Sequence, residues 1–499
     1  MAVSFTNLPA NNRVPLFYAE IDNSQAGYFA RNNRALIVAP KLAAGTAAAN
    51  VPVLCNNVGQ AIQYGGRGSI LARMVAAYRN NDDFGELWIL PVSDPGAGTQ
   101  ATKTLTLAGP ATAAGVIALY IAGQRIQVGV EATDTAAEIA AAIAAAVQAA
   151  PDLPYTAAAV AEVCTLTCRH KGLVGNDIDV RHSYLGPSGG EVLPAGVGLV
   201  IAAGVVAAGA PDLGAAIAAM GDEEFDYIAM PWTDTASLDA FKTEMNDVVG
   251  RWSPLRMIYG HVFTAKVAGH SALVSLGAGR NDPHASIFGM ADTPTPSYEI
   301  AAAFAARSAR SLNNDPARPL QTLALVGVLA PPVDSRFTIQ ERNVLYWGGI
   351  AGAVVTGGEV RIDRGITTYR VNPYDQPDPS FLNITTVANL AYVVRFLKGR
   401  ITSKYGRHKV AADGTAFGAG QAIVTPAIIR GELIAAYADL EALGLVENSA
   451  AFIANLIVEI NANDPSRIDV LFAPDLVNEL NIVALLVQFR QQYPAALAA

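Results

Sequence analysis

Cysteine and charged residues are both scarce in this 499-residue chain, which has three cysteines, Cys55, Cys164 and Cys168. So few cysteines, in an odd number, argue against a disulfide framework and suit a reducing cytosol. Charged residues make up 15% of the chain and hydrophobic residues 52%, which excludes a disordered protein and allows two to four domains with buried cores. The net charge of −9 disfavours nucleic acids and anionic membranes as partners.

The patterns of a signal peptide and of a membrane span are also absent. Residues 1–13 lack a basic start and an apolar run, so we expect the protein to remain in the cell that makes it. Residues 192–211 carry no charge and approach the roughly 20 residues of a spanning helix, but their glycines and prolines suit a helix poorly. We predict a buried strand at residues 197–206, followed by a glycine-rich turn, and no membrane insertion.

Signs of catalysis are weak as well. His270 lies next to Ser271, and Asp226 and Asp234 occur earlier in the chain. Neighbouring residues on a helix point about 100° apart, so the first two cannot form a nucleophile and base pair. We therefore expect no enzyme activity, and we interpret His261 as a structural histidine in a strand.

A glycine cluster formed by Gly65, Gly66 and Gly68 precedes a predicted helix, and helix N-termini favour anions. The spacing matches neither GxxxxGK[ST] nor GxGxxG, so it does not indicate a nucleotide site. We predict instead that the glycines permit a tight turn and that Ser69 caps the helix.

Cys164, Cys168 and His170 lie close together in a predicted strand at residues 162–170. A structural zinc site usually needs four ligands, often with a CxxC spacing. The CxxxC spacing here places both sulfur atoms on one face of the strand, where we expect them to pack as small hydrophobic groups. The sequence therefore predicts no metal and no other cofactor.

Strand patterns at both ends of the chain are the most informative feature that is present. Residues 13–22 alternate apolar side chains, and residues 467–474 and 481–489 form two further apolar runs. A strand at a terminus leaves backbone groups unpaired unless it joins the body of the fold or another copy. The sequence thus indicates a chain that can polymerise.

The order of the remaining elements predicts an α/β fold with an insertion. A β-α-β unit is predicted first, followed by a small-residue linker at residues 93–103 and a β-β-α-β insert. From about residue 212, strands and helices alternate, which is typical of a mainly parallel sheet covered by helices. The predicted elements include strands 34–40, 86–92 and 256–263, helices 69–79, 237–251 and 381–401, a hairpin at 119–130, a hairpin turning at Gly357 and Gly358, and capping boxes at Thr135 with Glu138 and at Thr338 with Glu341.

Four segments of this chain resemble the Mu-like phage contractile tail sheath proteins. They are RVPLFYAEIDNSQA from residue 13, YGGRGSILARMVAAYRNN from 64, LPAGVGLVIAAGVVAAGAPDL from 193, and RIDVLFAPDLVNELNIVALLVQF from 467. The resemblance implies a virion structural protein, assembled in the host bacterial cytoplasm, that stacks in six-fold rings around an inner tail tube. It further implies that the sheath contracts to drive the tube through a bacterial envelope, and that it meets baseplate and tail terminator proteins.

The resemblance also assigns a role to each part of the chain. It implies a core of subtilisin-like topology without protease activity, and copies joined by strand exchange, in which two arms add to a sheet of a third subunit. The expected parts are an N-terminal arm (1–24), the first part of the core (25–95), an outward-facing insert (96–200), the rest of the core (201–372), an α+β C-terminal domain that faces the tube and accepts strands (373–474), and a C-terminal arm (475–499). The expected exchange residues are Val14, Leu16, Phe17, Tyr18, Ile21, Ile468, Val470, Phe472, Ile482, Leu485, Val487 and Phe489.

A basic run at residues 395–409 reverses the acidic character of the chain. It contains six cations and no acidic residue, namely Arg395, Lys398, Arg400, Lys404, Arg407 and Lys409. One interpretation is a solvated helix end with cations near its C-terminus. The other is a surface that faces the inner tube and contacts an acidic strip on it in a salt-sensitive way.

Two alternatives to a phage tail sheath stay open at this point. A sheath of a phage-derived bacteriocin or injection device would have the same sequence features. A cytosolic hydrolase or binding protein with a doubly wound core belongs to another class, and it would need a polar cluster and a closed oligomer of fixed size.

Overall fold

A parallel β-α-β unit begins the part of the chain that the computed structural model describes, residues 33–491. Its elements are β1 (Arg34–Pro40), β2 (Val53–Leu54), α1 (Val58–Gly65), α2 (Ile70–Arg79) and β3 (Glu86–Val92). Strands β1 and β3 pair in parallel along their whole length, as predicted, and β2 pairs antiparallel with β3. The predicted arm strand at residues 13–22, with Val14, Leu16, Phe17, Tyr18 and Ile21, lies outside the described residues.

Two antiparallel sheets and one helix make up the insert that follows β3. Its elements are β4 (Gln100–Ala108), β5 (Gly115–Ile121), β6 (Gln124–Val130), α3 (Ala136–Gln148), β7 (Tyr155–Val160), β8 (Val163–Lys171), β9 (Val180–His182) and β10 (Gly198–Ala203). The strand orders are β10-β4-β8-β7 and β6-β5-β9. The predicted hairpin of β5 and β6 is confirmed, as is the capping box of Thr135 and Glu138 at the start of α3.

Two predictions for the insert are wrong. The predicted β-β-α-β module is too small, because β4, β7, β9 and β10 also belong to the insert. Strand β4 was predicted as a linker because its alternating Thr and Lys side chains have the polar character of one. The stretch predicted as a buried strand at residues 197–206 contains the edge strand β10, in which Val200 is 64% exposed. An uncharged composition does not separate a buried strand from an edge strand whose outer side has no partner among the described residues.

The second part of the core alternates helices and strands, as predicted. Its elements are α4 (Gly214–Met220), β11 (Tyr227–Ala229), α5 (Thr235–Met245), β12 (His261–Val267), α6 (His270–Ala278), β13 (Ala285–Met290), α7 (Ser297–Asn314), α8 (Ile339–Trp347), β14 (Ile350–Thr356) and β15 (Glu359–Arg364). Helix α5 ends earlier than predicted, because the Asn246 side chain accepts the backbone N–H groups of Val248 and Val249 and turns the chain. The strand predicted from residue 256 therefore begins only at His261.

One large sheet unites both parts of the core, in the order β15-β14-β13-β12-β11-β1-β3-β2. Only its outer strands, β2 and β15, run antiparallel to their neighbours. Consecutive residues of β1, such as Leu36, Ile37 and Val38, are all fully buried, which requires cover on both faces of the sheet. No helix within residues 33–491 combines the length and the apolar character needed to cross a membrane.

The C-terminal part has its own small hydrophobic core and several short strand pairs. Its elements are α9 (Ile384–Tyr405), β16 (Lys409–Val410), β17 (Ile423–Val424), α10 (Pro426–Ala442), β18 (Val446–Glu447), α11 (Ser449–Asn455), β19 (Ile457–Ile460), β20 (Ile468–Leu471) and β21 (Asp475–Leu476). The strands form three two-stranded sheets, β16-β17, β18-β21 and β19-β20. Each strand of a two-stranded sheet has a partner on one side and leaves the backbone groups of its other edge unpaired.

Candidate assembly surfaces

The last apolar run extends from the C-terminal part as an exposed segment. The side chains predicted for strand exchange are 79% exposed at Ile482, 82% at Leu485 and 82% at Phe489, and Val487 is similarly exposed. The prediction of a strand at residues 481–489 is wrong for the single chain, in which these residues form no strand. A strand needs a partner for its backbone groups, and this segment has none within the described residues.

The segment leaves the domain from a defined point. Strand β21 pairs with β18, the Thr385 hydroxyl donates to the Glu479 carboxylate, and Gln321 Nε2 donates to the Leu480 carbonyl at 2.8 Å. The chain is therefore attached up to residue 480, and residues 482–489 after it are exposed to solvent.

The preceding run, residues 467–474, behaves differently. Ile468 and Val470 lie in β20, opposite Ile460 and Val458 of β19 in an antiparallel hairpin. The Phe472 ring packs against the ring of Phe452 with centroids 4.8 Å apart. These three predicted exchange residues thus belong to the folded domain, although the outer edge of β20 has no partner among the described residues.

Half of the basic run is engaged within the chain. Arg395 contacts Asp226 at 2.6 Å and Glu224 at 3.2 Å. Arg400 pairs with Glu432 and Asp439, and Lys404 Nζ lies 2.8 Å from Glu432. The remaining three cations are exposed and have no ion pair with any described residue: Lys398, Arg407 and Lys409.

Sequence inspection missed these pairs because the acidic partners are distant in the chain. Glu224 and Asp226 precede β11, whereas Glu432 and Asp439 lie on α10. Burial acts to raise the pKa of Glu432, but hydrogen bonds from Lys404 and Arg400 hold it below its ordinary value. Three of the six cations of the basic run therefore form ion pairs within the chain, and three are exposed.

Two of the residues considered for a catalytic triad, His270 and Asp234, make structural contacts. His270 Nε2 lies 3.1 Å from the Glu341 carbonyl oxygen, and the Asp234 side chain caps α5 by accepting the N–H of Ser237. His261 is buried, and its Nε2 lies 2.8 Å from the Ser286 hydroxyl. Burial, with a smaller contribution from nearby His284, lowers the pKa of His261 to about 3.

A GxSxG pattern, which we did not expect in this chain, occurs at residues 186–190, around Ser188. It forms a short 3-10 turn at Pro187–Gly189 in the insert, between β9 and β10. The serine of a hydrolase elbow lies instead in a sharp turn from a strand into a helix. The local structure therefore differs from the one that this pattern requires.

The glycine cluster serves to dock the insert onto the core. Ser69 caps α2 by accepting the N–H of Ala72, which confirms the prediction. The backbone N–H of Ile70, in the first turn of α2, donates to His170 Nε2 of the insert at 3.1 Å. The other ring nitrogen of His170, Nδ1, contacts Asp94 Oδ1 at 2.8 Å. Gly68 has a φ of +78°, and a Cβ atom there would lie 2.6 Å from a backbone oxygen of the insert.

The two cysteines of the insert are buried and unpaired. Burial raises the pKa of Cys164 to about 11 and that of Cys168 to about 12, so both are protonated thiols at neutral pH. Among residues 33–491, no group of three or more His, Cys, Asp or Glu side chains is arranged to hold a metal ion.

The insert also covers the carboxyl edge of the central sheet. Lys266 at the end of β12 contacts Asp177 of the insert at 2.7 Å, and Arg181 of the insert contacts Asp292 beyond β13 at 2.9 Å. Open α/β sheets bind ligands at this edge. Here the edge is used for contacts between two parts of the protein.

Family models match three successive parts of the chain, and all three describe a phage tail sheath. They are the tail sheath β-sandwich domain at residues 96–198, the central domain at 206–368 and the C-terminal domain at 376–490. The Mu-like prophage FluMu tail sheath protein of Haemophilus influenzae is 39% identical over 492 residues, which cover 98% of this chain and 100% of that protein. This chain belongs to the phage tail sheath proteins, in their Mu-like form.

Solved structures of sheath proteins are similar at low identity. The sheath tail protein of Desulfitobacterium hafniense is 14% identical with a TM-score of 0.47, over 93% of this chain and 100% of that chain. The sheath tail protein of Listeria innocua is 13% identical with a TM-score of 0.49, over 92% of this chain and 95% of that chain.

Proposed function

We propose that this sheath protein forms stacked six-fold rings around an inner tail tube, and that contraction of the rings drives the tube through a bacterial envelope. The observation that carries the proposal is the exposed apolar segment 481–489 beside short two-stranded sheets with unpaired outer edges. Added strands bind through main-chain hydrogen bonds, and alternate side chains set their register. The arms at residues 1–24 and 475–499 would supply the strands, and the sheets of the C-terminal domain would accept them.

Electron microscopy of negatively stained protein tests strand-linked assembly. The full chain should form tubes or stacked rings, and variants lacking residues 1–22 or residues 475–499 should not. A sharper variant is Leu485→Ser with Val487→Ser, and the matched control is Val160→Ser, which changes a valine of the insert that is 78% exposed. Small oligomers of one size that neither truncation alters would contradict the proposal.

We further propose that the exposed cations Lys398, Arg407 and Lys409 face the inner tube. Contacts between exposed charges are screened by salt, so they can be released when the sheath contracts. Arg395, Arg400 and Lys404 would contribute indirectly, because their ion pairs orient helix α9. Contacts with baseplate and tail terminator proteins, and assembly in the host cytoplasm, are part of the same proposal.

Tube-templated assembly across a salt series tests the tube-facing surface. Changing Lys398, Arg407 and Lys409 to Gln should lower the salt concentration at which sheath separates from purified tube. Lys171→Gln changes an exposed lysine of the insert and serves as the control. An unchanged salt dependence of the triple variant would contradict the tube contact while leaving strand exchange untouched.

We also infer that the core has a subtilisin-like topology without protease activity. The helix-covered parallel sheet supports the topology, and the separate structural partners of His270 and Asp234 support the absence of a triad. A fluorophosphonate probe labels activated serines, so the intact protein should stay unlabelled beside an active serine hydrolase. Labelling of Ser271 or Ser188 would contradict the inference.

A further inference from the structure

The four-stranded sheet of the insert has two open edges. Its order is β10-β4-β8-β7, and neither outer strand has a second strand partner within residues 33–491. Both outer strands have six residues, with the sequences GLVIAA in β10 and YTAAAV in β7. Edge strands are usually protected against pairing with other chains by charged side chains or prolines. Neither β7 nor β10 contains a charged residue or a proline, so both edges are open to strand addition.

Hydrogen bonds of the sheet show which backbone groups point outward. The Pro154 carbonyl, just before β7, accepts the N–H of Arg169 in β8 at 2.8 Å. On the other side, the Thr102 carbonyl in β4 accepts the N–H of Gly204, just after β10, at 3.0 Å. Residues of an antiparallel pair alternate between bonded and non-bonded positions, so every second residue of each outer strand directs its N–H and C=O groups away from the sheet. These residues are Tyr155, Ala157 and Ala159 in β7 and Leu199, Ile201 and Ala203 in β10.

The two edges are complementary to each other. All strands of the sheet are antiparallel to their neighbours, so β7 of one copy beside β10 of another continues the same alternation. With Ile201 opposite Ala157, the three outward residues of each edge face one another. This register places Ala157 on the same face as Leu199, both of them buried, and the exposed Val200 opposite the exposed Ala158. A shift by one residue would instead place buried side chains opposite exposed ones.

We propose that β10 of one copy pairs with β7 of the next copy, so that the insert sheets of neighbouring subunits join into one. The contact uses two different edges, and repetition of such a heterologous contact produces a ring or a helix. The Ala157 carbonyl, which now accepts Gln148 Nε2 at 3.0 Å, would accept the N–H of Ile201 instead. Main-chain bonds carry the contact, so Val160→Ser, which alters only a side chain at the end of β7, leaves it in place. The inference rests on the proposed function only in that copies lie side by side, because it does not involve the arms.

Disulfide cross-linking of the full-length protein tests the pairing. In the proposed register Val200 and Ala158 form a non-bonded pair with Cα atoms about 4.5 Å apart, a distance that a disulfide can span. Within one chain they lie three strand spacings apart, about 14 Å, and cannot be joined. Oxidation of the variant with Val200→Cys and Ala158→Cys should therefore convert most chains into a ladder of dimers, trimers and larger species on a non-reducing gel. The native cysteines are buried and should not take part.

The matched control combines Val200→Cys with Val116→Cys, since Val116 is a 48% exposed valine of the insert that lies in the other sheet. It should give no ladder, and a mixture of the single variants Val200→Cys and Ala158→Cys should stop at dimers. Because the edges do not involve the arms, concentrated samples without polymers should still give the ladder, more slowly. A ladder without polymers would contradict the proposed function and support the pairing. Polymers without a ladder, no ladder in any sample, or an equal ladder from the control would overturn the pairing.

Discussion

The central sheet and the C-terminal domain differ in how far their strands are paired within the chain. The central sheet joins eight strands, and its aromatic core places Phe304 against Phe263 and Phe288 with centroids 5.2 and 4.8 Å apart. The C-terminal domain has three two-stranded sheets and an exposed apolar terminus. In the central sheet the six inner strands are paired on both sides, whereas the short strand pairs of the C-terminal domain have open edges that can gain strands from other copies.

Replacing a phenylalanine by alanine should lower the free energy of unfolding strongly in the core and hardly at all in the exposed C-terminal segment. This is the largest difference that we expect. Phe304→Ala removes a fully buried ring and should lower the free energy of unfolding by about 3–5 kcal/mol. Phe489→Ala removes a ring that is 82% exposed and should change it by less than about 0.5 kcal/mol. Urea denaturation of the unassembled subunit measures both values.

Assembly should show the reverse order. The fraction of folded Phe489→Ala subunits that enter polymers, measured by sedimentation, should fall, because the proposed strand exchange would bury this side chain. Folded Phe304→Ala subunits should polymerise like the unchanged protein. Normal polymerisation of Phe489→Ala would remove this residue from the exchange surface.

Acid should destabilise the core through His261. Its pKa is lowered from 6.5 to about 3 by burial, so between these values the unfolded chain binds a proton that the folded chain does not. The free energy of unfolding should therefore fall as the pH drops from about 6.5 towards 3, by up to about 1.4 kcal/mol per pH unit from this group. His261→Gln should flatten the pH dependence of urea denaturation in this window, and an equal slope in both proteins would contradict the assignment.

The docking of the insert onto the core should depend on His170. His170→Ala leaves the buried N–H of Ile70 without its acceptor and removes the contact with Asp94, at a cost of about 1–3 kcal/mol. Limited proteolysis at the two connections of the insert should become faster. The control is His182→Ala, since the His182 side chain contacts Ser183 of the same insert. Equal proteolysis of both variants would show that His170 does not fix the insert.

Local patterns were sufficient to predict much of the fold. The capping boxes at Thr135 and Thr338 and the hairpin at Gly357 are set by contacts between near neighbours in the chain. The strands β1 and β3 pair with distant segments, but their continuous apolar runs are visible in the sequence. The resemblance to the sheath family, carried by four segments, gave the class of protein. The limits of the insert were less predictable, because its polar strands are stabilised by pairing with strands far along the chain.

The candidate surfaces were predicted less well, for the same reason. Nothing near Arg395 in the sequence indicates that its partners are Glu224 and Asp226, some 170 residues earlier by their numbers. The apolar runs around Val470 and Val487 also have similar sequence patterns, and both predict a strand. Only the fold distinguishes the first, which is paired in a hairpin, from the second, which is exposed.

The smallest expected effect on the free energy of unfolding comes from replacing the first, capping residue of one helix in each region. Thr338 begins α8 in the core with a full capping box, in which its backbone N–H donates to Glu341 at 2.8 Å. Thr425 begins α10 in the C-terminal domain without the reciprocal bond of a capping box. Its hydroxyl accepts the Ile428 N–H at 3.4 Å, much as that of Thr338 accepts the Glu341 N–H at 3.3 Å, and it also bonds the Asp413 carboxylate. Thr338→Ala should cost about 1 kcal/mol of unfolding free energy, and Thr425→Ala clearly less, because Pro426 already fixes the first turn of α10.

Thr338→Ser and Thr425→Ser, which keep the hydroxyl, are the matched controls and should differ little from the unchanged protein in urea denaturation. A larger loss for Thr425→Ala than for Thr338→Ala would reverse the comparison. It would mean that the C-terminal domain depends on local helix signals more than the core does, because its small hydrophobic core supplies less stabilisation from packing.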